Sequence, residues 1–564
     1  MRRGRKRHAR AALAWLLLTV AFGLLIGCSD EANPPAVLPP DSADSAAGIT
    51  DDGVLGEAND AAAKPFVIKT AQTRMGASTG AFYEIFVRSF YDSDGDGIGD
   101  LQGIIDKLDY VADLGFKGIW LMPIQPSPSY HGYDVTDYYD INPDYGTLDD
   151  LRRLTEEAHK RGIKIVMDLV VNHTSREHPW FLDAAGGNGS KYRNWYVWAE
   201  DRNLDTGEAG PWGQQVWHKR GDSTYLGVFW EGMPDLNFDE PAVRRELIKI
   251  GQFWLNQGVD GFRLDAAKHI YGDFASSAAD PKTSERNVEW WQQFRSGMEE
   301  VNADVYLIGE VWDAPHVVAP YLDRALDSGF NFDLASLLIG AARMERAPDL
   351  AGVLNRMYET YGTRSGGSFV DAPFLSNHDQ NRVMSELAGN VDRAKMAASL
   401  LLTLPGNPFV YYGEEIGMHG AKPDERIREP MPWSASGDAE GEANWEPSYH
   451  RQPGVSVEEQ LADPDSLLNH YKTMLKWRNE EPLLGDGGIA AFPIANSGVA
   501  GFIRVQDDDM ALVVHNMTGD AQVVDLQANG TVPFARIAER SKEGTSLADG
   551  KLELPPYSSV LLKP

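Results

Sequence analysis

Residues 240–265 read EPAVRRELIKIGQFWLNQGVDGFRLD, a helix-length stretch from Glu240 to Asn256 that leads into the short apolar run Val259 to Leu264. A helix followed at once by a strand is half of a βα repeat, and the same alternation runs outward in both directions. Before it lie the apolar run Ala81 to Phe90 and the stretch Leu101 to Leu114, where Ile104, Ile105, Leu108, Val111 and Leu114 share one helical face. The strand Gly118 to Ile124, the helix Leu148 to Arg161 and the strand Lys164 to Asn172 come next, the helix opened by Thr147 and Asp150 as a capping pair. After it lie the strand candidates Val305 to Glu310, Ser368 to Phe374 and Phe409 to Tyr412. About eight βα units over roughly 400 residues predict a parallel sheet closed into a (β/α)8 TIM barrel.

Two intervals break that rhythm. From His173 to about Phe238 the chain is rich in Trp, Tyr, Gly and Asn, which marks an insertion domain (about 174–238) after the third strand. In so small a domain Trp195, Trp198, Trp212, Trp217 and Trp230 are each expected in the core, with sugar stacking as the alternative use. Beyond the helix Asp465 to Trp477, period-two segments at Gly498 to Val505, Met510 to His515 and Ser558 to Leu562 predict a C-terminal all-β sandwich over 481–564. The barrel then occupies 75–480.

At the N-terminus, Arg2, Arg3, Arg5, Lys6, Arg7 and Arg10 precede the apolar run Ala11 to Ile26, the order of an export signal. The run ends in Leu25-Ile26-Gly27-Cys28, which resembles the cleavage box of bacterial lipoproteins and implies a signal peptide over 1–28 with lipidation at Cys28. Cys28 is the only cysteine in 564 residues, so no disulfide is available to it. Residues 29–74, rich in Ala, Asp, Pro and Gly, read as a flexible linker. An exported monomer held to a membrane of the cell envelope is therefore expected. With 52 Lys+Arg against 83 Asp+Glu the net charge is −31, which excludes nucleic acid as a partner.

Four segments carry the chemistry: Asp168-Leu-Val-Val-Asn172-His173-Thr174, Gly261-Phe-Arg263-Leu-Asp265-Ala-Ala-Lys268-His269, Gly309-Glu310-Val-Trp312 and Phe374-Leu-Ser-Asn377-His378-Asp379. Each closes a predicted strand, where barrel enzymes place their reacting groups. In content and order they resemble the α-amylase family, glycoside hydrolase family 13, over roughly residues 80 to 480. The resemblance implies a retaining hydrolase of α-glucans with Asp265 as nucleophile, Glu310 as acid/base and Asp379, with His378, gripping ring hydroxyls. It also implies that Tyr133 and His173 touch the same sugar and that Lys268 and His269 bind sugars on the leaving-group side. Arg263, two residues before Asp265, points to the same face and is expected to keep the nucleophile ionised.

Asp92-Ser-Asp94-Gly-Asp96-Gly-Ile98-Gly-Asp100 spaces carboxylates two apart, so Asp92, Asp94, Asp96 and Asp100 with the Ile98 carbonyl are expected to wrap one Ca2+. In many members of the family the equivalents of Asn172, Asp235 and the His269 carbonyl hold a second. Met233-Pro-Asp-Leu-Asn237 resembles a group between oligo-1,6-glucosidases and neopullulanases that contains α-amylases, whereas Arg428-Glu-Pro-Met-Pro-Trp433 resembles the oligoglucosidase branch. The expected activity is cleavage of α-1,4-glucosidic bonds. An α-glucosidase or transglycosylase on short maltooligosaccharides, and a non-catalytic surface glycan-binding lipoprotein, are the alternatives.

Overall fold

The computed structural model describes residues 76–271, 280–366, 368–528 and 530–564. The expected export signal, Cys28 and the expected linker lie outside the described residues. Among the described residues no helix is long and apolar enough to cross a membrane.

Seven strands form one parallel sheet: β1 (Phe82–Ile85), β2 (Gly118–Leu121), β3 (Lys164–Leu169), β4 (Gly261–Leu264), β5 (Tyr306–Gly309), β6 (Ser328–Gly329) and β7 (Phe409–Tyr411), in the spatial order β6-β5-β4-β3-β2-β1-β7. The gap between β6 and β7 is bridged by residues 372–374, through the single pairs Phe330 with Ala372 and Phe374 with Phe409, so the sheet closes as a barrel. Period-two alternation sorts the side chains. Phe82, Trp120, Val166, Tyr306, Ile308, Phe330, Phe374 and Phe409 pack into one buried cluster, with Phe82 stacked on Phe409 at 4.9 Å. Two residues further along their strands, Glu84 and Asp168 follow Phe82 and Val166 on the same face, and Glu310 follows Ile308. The barrel is thus apolar through its middle and charged at the C-terminal strand ends.

Several elements depart from expectation for visible reasons. The run Ala81 to Phe90 stays extended only to Ile85 and then turns into the short helix Val87–Phe90. Leu101 to Leu114 divides at Lys107, whose N–H bonds back to Gly103 and Ile104 carbonyls, giving helices Leu101–Asp106 and Leu108–Leu114. Ser368 to Phe374 is not a continuous strand: Asp371 takes the Ala372 N–H with its own side chain at 3.0 Å, and Pro373 has none to give. Thr147 and Asp150 do form the reciprocal cap of helix Leu148–Lys160.

The insertion holds a hairpin, Trp217–Arg220 with Ser223–Leu226, over a small core of Ala199, Val216, Trp217, Leu226 and Val228. Trp198 and Trp217 are buried as expected, but Trp212 is 61% and Trp230 47% exposed, correcting the expectation that each tryptophan is core. Trp212 instead lies beside the His269 ring at 5.2 Å, on the side of the barrel mouth. In the C-terminal domain, a five-stranded sheet contributes Ile503, Leu512, Val514, Val560 and Leu562 to one core, and a three-stranded sheet contributes Val524, Leu552 and Leu554. This is the sandwich read from the sequence. Its seam with the barrel is closed by Arg504, which donates to the Thr403 and Leu484 carbonyls at 2.6 Å, and by Arg478, which donates to the Leu484 carbonyl at 3.2 Å and, within the barrel, to Leu404 at 2.7 Å.

Candidate active site

Arg263, 1% exposed, organises the charged end of the barrel. Its Nη1 donates to Asp265 Oδ1 at 2.6 Å and to both Asp168 oxygens at 3.1 Å, while Nη2 lies 2.8 Å from Glu310 Oε2. Beside the expected contact with the nucleophile it reaches Asp168 and Glu310, so three carboxyl groups share one positive charge. Ala266, at φ +48°, directs its N–H onto Glu310 Oε2 at 3.1 Å, so the left-handed turn after Asp265 joins the two carboxyl groups through the backbone as well.

Burial pushes Asp265 and Glu310 above the ordinary carboxylate range, and Arg263 pulls both back. Glu310 also feels the negative charges of Asp265 and Asp379, which favour its protonated form. Burial carries Asp168 to about 7 against the pull of Arg263. Asp379 is the opposite case: burial would raise it, but His378 and Arg428 outweigh burial and hold it well below the usual range.

A cavity of about 340 Å³ opens over these groups, with Asp265, Glu310 and Asp379 among its lining and Tyr133, His173, Phe229 and Trp230 around them. Tyr133 stacks on the His378 ring at 5.4 Å, and its hydroxyl lies 2.6 Å from His378 Nε2 and 2.9 Å from Asp168 Oδ2. Burial lowers His173 to about 4, leaving a neutral ring whose Nε2–H donates to the Tyr133 carbonyl at 3.1 Å. The structure therefore gathers Tyr133, His173, Arg263, Asp265, Glu310, His378 and Asp379 at one place.

Lys268 has protein partners of its own. Its ammonium donates to the Trp312 carbonyl at 2.7 Å and to Asp313 Oδ2 at 3.0 Å, so it braces the segment after Glu310. His269 is buried between Trp212 and Phe229 and lowered to about 4 by that burial. Three participants were missed. Glu84 sits in a run that reads as apolar, yet its Oε1 lies 2.6 Å from His378 Nδ1. Asp168 lies near the end of the third strand, where only the fold reveals its partner Arg263. Arg428 donates from Nη2 to Asp379 Oδ1 at 2.9 Å and from Nε to the His378 carbonyl at 2.9 Å.

In the acidic loop, carboxylate oxygens of Asp92, Asp94 and Asp100 lie within 4.8 Å of one another. Asp92 also accepts the Gly95 and Gly97 N–H groups at 2.7 and 2.8 Å, and Asp100 caps the following helix through Gly103 N–H at 2.7 Å. Asp96 stands outside that trio and accepts the Ile98 N–H at 2.8 Å. Asn172 Nδ2 donates to Asp235 Oδ1 at 3.3 Å, which brings the second expected pair together.

Residues 84–487 match the α-amylase catalytic domain, and residues 499–561 match the C-terminal domain of the α-amylase SusG. Alpha-amylase 3 of Dictyoglomus thermophilum is 42% identical over 487 residues, covering 86% of this chain and 92% of that protein. The 4-α-glucanotransferase of Thermotoga maritima is 35% identical over 450 residues, covering 78% and 96%. The solved α-amylase from H. orenii superposes with a TM-score of 0.78 at 46% identity, covering 86% of this chain and 99% of that one. The catalytic-domain match begins at Glu84 and spans every side chain of the cavity, and it takes in more than half of the 564 residues; by that measure the chain belongs to the α-amylase family of glycoside hydrolases.

Proposed function

We propose that this enzyme hydrolyses α-1,4-glucosidic bonds of starch, glycogen or maltooligosaccharides with retention of configuration, as an α-amylase does. The observation that carries this is the pairing of Asp265 and Glu310 on the two terminal nitrogens of one guanidinium inside a sugar-sized cavity. Carboxyls so closely held suit double displacement, which uses a separation of about 5–5.5 Å. Asp265 attacks the anomeric carbon while Glu310 gives its proton to the departing glycosidic oxygen, and the glycosyl ester forms as that bond breaks. Glu310, now ionised, takes a proton from water, and the hydroxide adds to the anomeric carbon as Asp265 leaves. The elevation of Glu310 keeps the proton available at the start. Asp379, ionised, accepts from ring hydroxyls, and Tyr133 and His173 position the ring.

Transfer of the glycosyl unit to a second glucan is the other reading. Trp312, 49% exposed and stacked flat on Phe332 at 4.3 Å, offers an acceptor platform two residues from Glu310. Asp92, Asp94 and Asp100 would hold a Ca2+: oxygens this close fit around an ion with ligands at about 2.3–2.6 Å. The ion would supply loop stability, and no chemical step is assigned to it. Export, lipid attachment at Cys28 and action as a monomer complete the proposal, supported by the order of basic, apolar and cysteine residues over 1–28.

The test is the product profile on starch, pullulan, isomaltose and maltotriose, with the first-formed anomer read by NMR. Rapid cleavage of starch to α-configured oligosaccharides is expected. A β-configured first product would remove Asp265 as nucleophile. Preference for maltotriose or isomaltose over starch would assign the enzyme to the glucosidases, and longer products from maltotriose would assign it to the transferases.

A further inference from the structure

Two carboxylates at the charged strand ends, Glu84 and Asp168, take no part in the bond-breaking steps. Glu84, at 1% exposure among the most buried carboxylates of the barrel, has His378 Nδ1 as its partner at 2.6 Å. On the other side of that ring, Nε2 lies 2.6 Å from the Tyr133 hydroxyl and 3.1 Å from Asp379 Oδ2. We propose that Glu84 is a positioning residue that keeps His378 as an imidazolium, and that this cation keeps Asp379 ionised and aimed at the sugar. The proposal rests on the reading of Asp379 as the carboxylate that grips ring hydroxyls.

Proton counting leads to it. Arg263 donates to both Asp168 oxygens, so that carboxylate is an acceptor, and the single Tyr133 proton goes to it. Tyr133 can then only accept from His378, which makes Nε2 a donor. Glu84 is an acceptor when ionised, which makes Nδ1 a donor too. A ring that donates from both nitrogens is the cation. Removing the Glu84 charge would free one nitrogen, and a neutral ring could then turn a lone pair toward Asp379.

The groups around the ring are Glu84 on β1, Asp168 on β3 and Arg263 on β4, with Tyr133, Asp265, Asp379 and Arg428 from the loops beyond the strands. The Trp120 ring meets it edge-on at 5.5 Å without charge. Burial alone would lower His378, but Asp379 and Glu84 overcome it and raise the ring to about 9. Burial raises Glu84, and His378 opposes that rise. A proton placed on Asp168 instead would turn Tyr133 around and leave Nε2 an acceptor, so the two arrangements differ in an observable.

The experiment is 15N NMR of histidine-labelled full-length enzyme, with the His378 signal identified by its loss in His378→Asn. Both ring nitrogens should be protonated at pH 7 in the natural enzyme and in Glu84→Asp, and the ring should be neutral in Glu84→Gln. A neutral ring in the natural enzyme, or an unchanged signal in Glu84→Gln, overturns the proposal. The second readout is the pH profile of kcat/KM on whichever α-glucoside proves to be cleaved. The acid limb should move up by about one pH unit in Glu84→Gln, since Asp265, which the His378 cation also helps to hold down, loses that cation, and return in Glu84→Asp. A uniform loss with an unmoved limb would reduce Glu84 to packing. The NMR arm needs no substrate, so its outcome stands apart from the assignment of the activity.

Discussion

Arg263 compensates three buried carboxylates at once, which separates its loss from the loss of any one of them. Asp265→Asn and Glu310→Gln keep shape and remove the nucleophile's charge and the acid's proton respectively, so both should fold normally and lose ~10²- to 10⁴-fold or more in kcat. Arg263→Met should do more, because it leaves Asp168, Asp265 and Glu310 facing each other without their shared cation; a stability loss of about 3–5 kcal/mol in urea titrations is expected. Turnover within a few-fold of normal in either carboxyl variant would end the double-displacement assignment. Asp265 and Glu310 were legible because each closes a strand in a motif of several residues, and Asp379 because it ends another such motif. Glu84 was not: its partner lies 294 residues away, and nothing local distinguishes a buried charge from a chance one in an apolar run.

At the scale of an element, the loop from Asp92 to Asp100 is the one whose stability should answer to its ligand. Three carboxylates converging within 4.8 Å repel one another unless a cation sits among them. Excess chelator should therefore lower the melting temperature, and Asp94→Ala should reproduce the drop and abolish further sensitivity to chelator. Asp94 suits the test because Asp100 also caps a helix, so its removal would mix two effects. An identical melting curve with and without chelator would count against the site. The helix Leu148–Lys160 was readable from its cap because Thr147 and Asp150 act within one turn. Residues 372–374 were not, since a side chain claiming one N–H and a proline lacking another undo a ladder without altering its hydrophobic pattern.

Across the whole molecule, buried ionisable groups set opposing limits on stability. Burial pushes Glu414 up to about 8, with the Tyr471 hydroxyl as its donor at 2.7 Å. The folded state thus binds this proton more tightly than the unfolded chain. Its contribution is complete at acid pH and is lost as pH rises from the ordinary carboxylate range through about 8. His470 and His515, lowered by burial to about 3, act in the other sense and cost stability as pH falls below the ordinary histidine range. Glu414→Gln should flatten the decline between pH 5 and 8.5 in denaturant titrations; an unchanged slope would show that Glu414 is ionised in the folded enzyme.

The two arginines at the seam between barrel and sandwich have one more consequence. Arg478 and Arg504 meet carbonyl oxygens, not carboxylates, and both are buried. Electrolyte screens exposed charges over a Debye length of about 10 Å at 0.1 M and 3 Å at 1 M, but it does not enter such a joint. The acidic exterior, at a net −31, is where dissolved ions act, and there they relieve self-repulsion. Rising salinity therefore tightens the surface and leaves the joint between the two domains untouched, an arrangement suited to brine as much as to fresh water.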